Sequence, residues 1–310
     1  MCGIAGFYDL LGNTNSETLE QITQCLHHRG PDDTGYFFTD SGAGHIGLGH
    51  KRLSIIDTSS AGHQPMQFEN LVIIYNGEIY NYQEIRGSLV EEGYTFTSSS
   101  DTEVVLKAFH WWGEEALTKF NGMFAIALYD KEKKKLMLAR DRIGVKPLFY
   151  YHNDQNFVFS SELKSIIKYP GFTKKINSKS LYTYLFHGYI TAPNSIFENV
   201  HKLLPGTYLT YQNGQVSHTT YWDLIEKFQQ ESSTSIHNEA QALRELDNIV
   251  TESVDYRMIA DVPLGSFLSG GYDSSLVTAV MQKLSNQPIK TFTIGFKEKE
   301  FNEANYAKRV

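Results

Sequence analysis

Between residue 1 and about residue 165 the apolar residues come in short runs, and nearly every run stops on Gly, Asn or Asp. IGLGHKRLSIID, LVIIYNGEIYN, MFAIALYD, KLMLARD, KPLFYYH and FVFSSEL are rich in β-branched and aromatic side chains. That pattern predicts strands bounded by turns. Two helices interrupt them. One spans roughly 82–92 and ends at Gly93; the other follows Ser100-Asp101-Thr102-Glu103, which has capping-box spacing, and continues as VVLKAFHWW. Strands in runs with helices between them predict α+β layers rather than a βαβ series.

From about residue 238 the grammar changes. EAQALRELDNIVTESVDYRMIA carries Leu243, Leu246, Val250 and Val254 at helical spacing. DVPLGSFL reads as a buried strand, SSLVTAVMQKL as a helix and TFTIGF as a second buried strand. Strand, glycine loop, helix, strand is the opening of an α/β doubly wound parallel sheet. Two parallel strands cannot bury both faces, so this second domain (238–310) is expected to be cut short. The intervening 166–237 reads as a connecting segment. It holds a helix (KSLYTYLFHGYI), a hairpin turning on Asn213-Gly214, and a polar, serine-rich linker (EKFQQESSTSIHNE).

Composition narrows the function. Of 310 residues, 41% are hydrophobic and 20% charged, with a formal net charge of -7. That is ordinary for a soluble globular chain. The one dense basic run, Lys131 and Lys133 to Lys135, lies between two apolar stretches and reads as a solvated hairpin turn, not a nucleic-acid patch. The opening MCGIAGFYDLLGN has no basic n-region and no apolar h-region, so no signal peptide is expected, and no apolar run is long enough to span a bilayer. Two cysteines are too few for a disulfide framework, so a reducing cytoplasm is expected. Cys25 lies in a helix-like stretch and is expected to be a small buried apolar group.

Cys2 is different. A residue this small after the initiator normally permits removal of Met1, which gives Cys2 a free α-amine. An α-amine titrates at roughly 7.7–8.0 and a thiol at roughly 8.5, so one residue can supply both nucleophile and base. Its company is MCGIAGF, HRGPDDTG (28–35), GHKRLSIID (49–57), QPM (64–66), YNGEIYN (75–81), SDTE (100–103), RDRIGVKPLFY (140–150) and SSELK (160–164). In this order and spacing they resemble the class II glutamine amidotransferases, specifically the asparagine synthetase branch, over essentially all of 1–165. The resemblance implies a layered αββα, Ntn-hydrolase-like fold and glutaminase chemistry. Cys2 is expected to attack the side-chain amide of glutamine, with Asn76 and the Gly77 N–H meeting the oxyanion. Arg52 is suited to the substrate carboxylate, and Glu78 and Asp101 to its ammonium. Leu53, Ser54, Ile55 and Ile56 are expected to line the slot. His28 and Arg29 receive no catalytic role, and RDRIGVKP is expected to order the domain interface.

In the second domain Ser269-Gly270-Gly271-Tyr272-Asp273-Ser274-Ser275 offers backbone N–H groups, serine hydroxyls and a helix N-terminus to an anion. A carboxylate cannot meet phosphate directly, so Asp273 implies a bridging Mg²⁺. The loop lacks the GK[ST] of a P-loop. With its flanks it looks like the pyrophosphate loop of ATP pyrophosphatases. By that resemblance Leu268 and Ile294 contact the adenosine, Ser269, Gly270, Gly271, Asp273 and Ser274 bind ATP, and Tyr272 stands where the family usually has Leu. The implied whole reaction uses glutamine, aspartate and ATP to give asparagine, glutamate, AMP and pyrophosphate, with a homodimer possible by analogy. A sister enzyme amidating another carboxylate, such as a sugar uronate, is the alternative.

Overall fold

A computed structural model of the chain describes residues 1–231, 236, 238–298 and 300–310. It separates into two compact units, Met1–Ile225 and Glu226–Val310.

In chain order the first unit runs β1 (Gly3–Asp9), α1 (Ser16–Gln24), β2 (Asp33–Asp40), β3 (His45–Arg52), β4 (Met66–Phe68), β5 (Leu71–Ile79), α2 (Tyr82–Glu91) and α3 (Asp101–Trp112). It continues with α4 (Ala116–Lys119), β6 (Gly122–Asp130), β7 (Lys135–Arg140), β8 (Phe149–His152), β9 (Asn156–Ser160), α5 (Leu163–Lys168), α6 (Ser178–His187), β10 (Val200–Lys202), β11 (Thr207–Gln212) and β12 (Gln215–Thr220). Two six-stranded sheets result, ordered β10-β8-β9-β1-β3-β2 and β12-β11-β7-β6-β5-β4.

Strand alternation explains the layering. Ile4 and Tyr8 of β1 join Ile46 and Leu48 of β3 against Val72, Ile74, Ala125, Ala127 and Leu138 of the facing sheet. The alternate residues of β1, Ala5 and Phe7, turn the other way and pack with Leu19 and Ile22 of α1 and Ile166 of α5. Both faces of β1 are therefore dry, and all seven of its residues are buried. Helix α3 covers β5 on the outer side of the second sheet, and α2 packs on α3. The order helices, sheet, sheet, helices is the αββα sandwich expected from the sequence.

Local chemistry sets the ends. Asn15 caps α1 by accepting from Thr18 N at 2.9 Å. Gly93, at φ +89, follows the end of α2, and Lys131 to Lys134 form the β6–β7 turn. Asn213 and Gly214 both have positive φ, as a two-residue hairpin turn requires. The α3 cap departs from the expected reciprocal box. Ser100 Oγ accepts from Thr102 N at 3.1 Å, whereas Glu103 reaches past Ser100 to Ser98 N at 2.8 Å and Thr97 N at 3.0 Å.

Residues 166–222, read as a connection, are structural. β10 pairs with β8, and β11 with β7, so this segment completes an edge of each sheet. The stretch read as a linker begins inside α7 (Leu224–Glu231); residues 232–235 and 237 lie outside the described residues. Cys25 is only partly buried, at the end of α1.

The second unit contains α8 (Glu239–Tyr256), β13 (Gly265–Phe267), α9 (Tyr272–Leu284), β14 (Lys290–Phe292) and α10 (Ala304–Ala307). β13 and β14 pair in parallel, giving the expected strand–loop–helix–strand order. The expectation of buried strands is corrected: Phe267 is 80% exposed and all of β14 is exposed. Val254, Val280 and Met281 form the small core, which gathers between α8 and α9 and leaves the strands uncovered.

Candidate active site

Cys2 stands one residue before β1, whose start pairs with the end of β3 (Gly3 opposite Lys51). The sulfur therefore meets the residue just past β3. Leu53 N donates to Cys2 Sγ at 3.3 Å, and Sγ lies 3.6 Å from Leu53 O. Burial pushes the thiol up; the Leu53 N–H and the positive N-terminus pull it back down. On the other side β1 pairs with β9, which brings residues 160–162 to the chain start. Ile4 N donates to Ser161 Oγ at 3.1 Å. Arg29 Nε donates to Cys2 O at 2.9 Å and its Nη1 to Glu162 at 3.0 Å. His28 and Lys164 also hold Glu162, at 2.9 and 3.0 Å, and together these bonds keep its carboxyl at about 2. Arg29, directly, and His28, through Glu162, thus fix the backbone at Cys2.

Strand β5 carries Asn76 and Gly77 to the same cavity as Cys2. Asn76 is buried, and its Nδ2 has no hydrogen-bond partner among the described residues. An orphaned buried amide is costly unless a ligand completes it. Gly77 pairs with Phe124 so closely that a Cβ would stand 2.3 Å from Met123 O, hence the glycine. The strand is braced at Tyr75. Gln64 Oε1 accepts from Tyr75 N at 2.6 Å, and His50 Nε2 donates to Tyr75 O at 3.1 Å. Burial holds His50 near 3, so its ring is neutral.

Asp101 opens α3 and reaches back to the end of β5. Its Oδ2 accepts from Tyr75 Oη at 2.9 Å and Ile79 N at 3.1 Å. Burial raises its carboxyl to about 6, with those two donors opposing the rise. Cys2, Arg52, Leu53, Ile55, Ile56, Asn76, Gly77, Glu78 and Asp101 line one cavity of about 160 Å³.

Two expectations change in detail. Ser54 lines a separate open cleft with Asp32, Asp33 and His63, and its N–H donates to Asp32 at 2.9 Å. Arg52 directs three of its five N–H donors to backbone carbonyls: Ser59 at 3.0 Å, Ile56 at 3.2 Å and Asp57. Two donors remain for a substrate, so the guanidinium chiefly shapes the 56–59 loop. Gln64, Tyr75, Thr102, Met123 and Lys146 also line the cavity and were given no role from sequence. Gln64, Tyr75, Thr102 and Lys146 lie within QPM, YNGEIYN, SDTE and RDRIGVKP, stretches that carry the resemblance, whereas Met123 lies in none of them.

In the second unit Leu268 directly follows β13, and its N–H donates to Phe292 O at 2.9 Å. Ser269 and Ser274 hydroxyls meet at 3.0 Å, and Ser269 Oγ accepts from Gly271 N at 3.3 Å. Gly270 has φ +84, and a Cβ there would lie 2.5 Å from Tyr306 C. Gly271 caps α9, and Asp273 lies in its first turn. Tyr272 is 97% exposed, so its departure from Leu disturbs no packing. Ile294 is also exposed. Among the described residues no group of three or more His, Cys, Asp or Glu converges on a metal position, so Asp273 stands as a single carboxylate.

Residues 1–222 match the family described as glutamine amidotransferase domain, and 245–310 match asparagine synthase. Asparagine synthetase [glutamine-hydrolyzing] 1 of Bacillus subtilis is 37% identical over 317 residues, covering 100% of this chain and 48% of its own length. Asparagine synthetase [glutamine-hydrolyzing] 3 of the same organism is 33% identical over 311 residues, covering 97% and 49%. The chain thus spans about half the length of these relatives. A solved glutamine phosphoribosylpyrophosphate amidotransferase from B. subtilis shares the fold, with TM-score 0.53 and 18% identity over 71% of this chain and 49% of that one. A sulfur seated beside Asn76, Gly77 and Asp101 on paired antiparallel sheets, and a family match across that whole unit, lead to one statement: the chain belongs to the glutamine amidotransferase family, and residues 1–222 are its amidotransferase domain.

Proposed function

We propose that this chain carries the glutamine-hydrolysing half, and the nucleotide-binding opening, of a glutamine-dependent asparagine synthetase. The observation that carries the reading is the orphaned Asn76 amide sharing one cavity with the Cys2 sulfur. After removal of Met1 the freed Cys2 amine takes the thiol proton, and Sγ attacks the glutamine amide. Asn76 Nδ2 and Gly77 N–H receive the oxyanion. The C–N bond breaks, the amine returns the proton, and ammonia leaves. Water then adds to the thioester, the C–S bond breaks, and glutamate is released. Asp101 and Glu78 hold the substrate ammonium, and the remaining Arg52 donors meet its carboxylate. This assignment also covers the slot formed by Leu53, Ile55 and Ile56.

In the second unit Ser269, Gly270, Gly271 and Ser274 form an ATP pyrophosphate cradle beside Leu268 and Ile294. Two glycines and the opening of α9 fit phosphate oxygens. A lone Asp273 fits Mg²⁺ only when phosphate oxygens complete its shell. Bound there, the ion would offset phosphate charge while ATP activates the β-carboxylate of aspartate, which ammonia then converts to asparagine. The whole protein is proposed to be cytoplasmic and homodimeric. Among the described residues no helix is long and apolar enough to cross a membrane.

Diazo-oxo-norleucine, a glutamine-analogue electrophile, tests the reading. Intact mass and peptide mapping are expected to find one adduct, at Cys2, that excess glutamine suppresses and Cys2→Ala abolishes. An adduct insensitive to glutamine, or none, refutes it.

A further inference from the structure

Lys146 is buried, at 4% exposure, and lines the Cys2 cavity. Its backbone is locked. Lys146 N donates to Asp141 Oδ2 at 2.9 Å, Val145 N to Asp141 Oδ1 at 2.8 Å, and Lys146 O accepts from Arg140 Nε at 2.7 Å. The loop after β7 therefore holds residue 146 in one place. The other end of the side chain has no such anchorage: among the described residues, no hydrogen bond or ion pair reaches Nζ. A lysine this deep is ordinarily paired. An unpaired one facing a cavity calls for an anion that the resting protein does not supply.

The charges around it narrow the choice. Burial is the largest influence and lowers its pKa; Cys2, Glu78 and Asp141 favour its charge, and Arg29 and the N-terminal amine oppose it. Asp141 is occupied, since its two oxygens already accept from Val145 N, Lys146 N and Phe124 N. Glu78 has interactions of its own. The two guanidinium groups near the sulfur are mostly engaged elsewhere. Arg52 points three of its five donors at carbonyls, and Arg29 grips Cys2 O and Glu162 and keeps only Nη2 unpartnered among the described residues, so each guanidinium is held mainly by backbone and Glu162. Asp101 adds negative charge to the same cavity.

We propose that Lys146 is the charge-balancing cation of the Cys2 centre, offsetting negative charge first on the sulfur and then on the γ-carboxylate of the released glutamate. The second half rests on the hydrolysis proposed above. There, water adds to the thioester carbon and the C–S bond breaks. One proton goes to sulfur and the other to the N-terminal amine and then solvent, leaving a carboxylate where a neutral thioester stood. The ammonium meets that new charge without moving and without surrendering an existing partner.

Competitive alkylation reads the field at the sulfur directly. The full chain is treated with iodoacetate (anionic) or iodoacetamide (neutral), and labelling at Cys2 and Cys25 is quantified by peptide mass. The iodoacetate-to-iodoacetamide rate ratio at Cys2, divided by that at the partly exposed Cys25, which lines a different cavity, isolates the charge local to Cys2. Lys146→Met is expected to lower this quotient roughly three- to tenfold, the scale of one partly screened unit charge. Lys146→Arg is expected to stay within about twofold of the parent, since the charge is kept. An unchanged quotient in Lys146→Met overturns the proposal. So does an equal fall in both variants, or failure of Cys2 to react with either reagent in Lys146→Met, since both indicate packing rather than charge. Glutamine takes no part in this measurement. Failure of the hydrolysis reading appears separately, as no ammonia release from the parent chain with the quotient intact.

Discussion

Asp101 is asked to be two things at once: the buried first residue of α3, which favours a neutral carboxyl, and the proposed holder of a substrate ammonium, which needs an ionised one. Its folded-state value of about 6 is the outcome. Below that value the free enzyme carries a protonated Asp101, so kcat/KM for glutamine is expected to fall as pH drops through 6, approaching ~10-fold per unit. Asp101→Asn keeps an acceptor for Tyr75 and Ile79 but removes the titration. Its profile is expected to be lower and flat on the acid side, and a parent limb that survives in this variant assigns the titration elsewhere. Cys2, Asn76 and Gly77 were singled out through the stretches that accompany them along 1–165, and the fold brings all three to one cavity. Arg52 was legible as a site residue but not in its duties, because those depend on how the loop around Asp57, at φ +53, turns its carbonyls inward. Lys146 was not legible as a cavity residue, since Asp141 and Arg140 place it and lysines are ordinarily solvated.

At the scale of elements, α3 is anchored by Glu103, which binds Lys107 Nζ at 2.6 Å and the 97–98 turn. Its carboxyl is held at about 2, against an ordinary 4.5; burial works against this and the Lys107 and Ser98 bonds produce it. The sign follows from linkage: a depressed carboxyl stabilises fully above its unfolded value and loses that contribution as pH falls through the folded one. Thermal unfolding is therefore expected to show a loss between about pH 4.5 and 2 that is reduced in Glu103→Gln. Equal acid slopes in the two proteins contradict the role. In the first unit β3, β5 to β9 and the β11–β12 hairpin were readable from β-branched and aromatic runs ended by turn residues, whereas β1, β2, β4 and β10 were not read as strands; β1, buried on both faces and glycine-containing, shows no alternation. The strands of the second unit were misjudged as buried. Their apolar runs are real, but the described residues provide no layer above Phe267 and Phe292.

At the scale of the molecule, the cavity at Cys2 is lined wholly by residues of the first unit. Glutamine hydrolysis is accordingly expected without ATP or aspartate. Gly270→Ala, which forces a Cβ onto Tyr306 at positive φ, is expected to weaken nucleotide binding about tenfold or more while leaving glutamine hydrolysis unchanged. Isothermal titration with ATP and an ammonia assay on the same preparation check both halves. Undiminished ATP affinity in the variant removes the cradle assignment.

The clasp between residues 2–4 and 161–162 carries a consequence for biogenesis. The two sides are brought together across 157 positions of sequence, from Ile4 to Ser161. Such a closure raises contact order and comes late in folding, because the intervening chain must emerge before its entropy can be offset. On a translating ribosome Cys2 therefore stays unseated until residues 161–162 have been synthesised. A nascent chain stalled before that point would carry Cys2 without the Arg29–Glu162 grip, and so without a competent nucleophile. Under the proposed function, glutamine would be spared until the sandwich had closed.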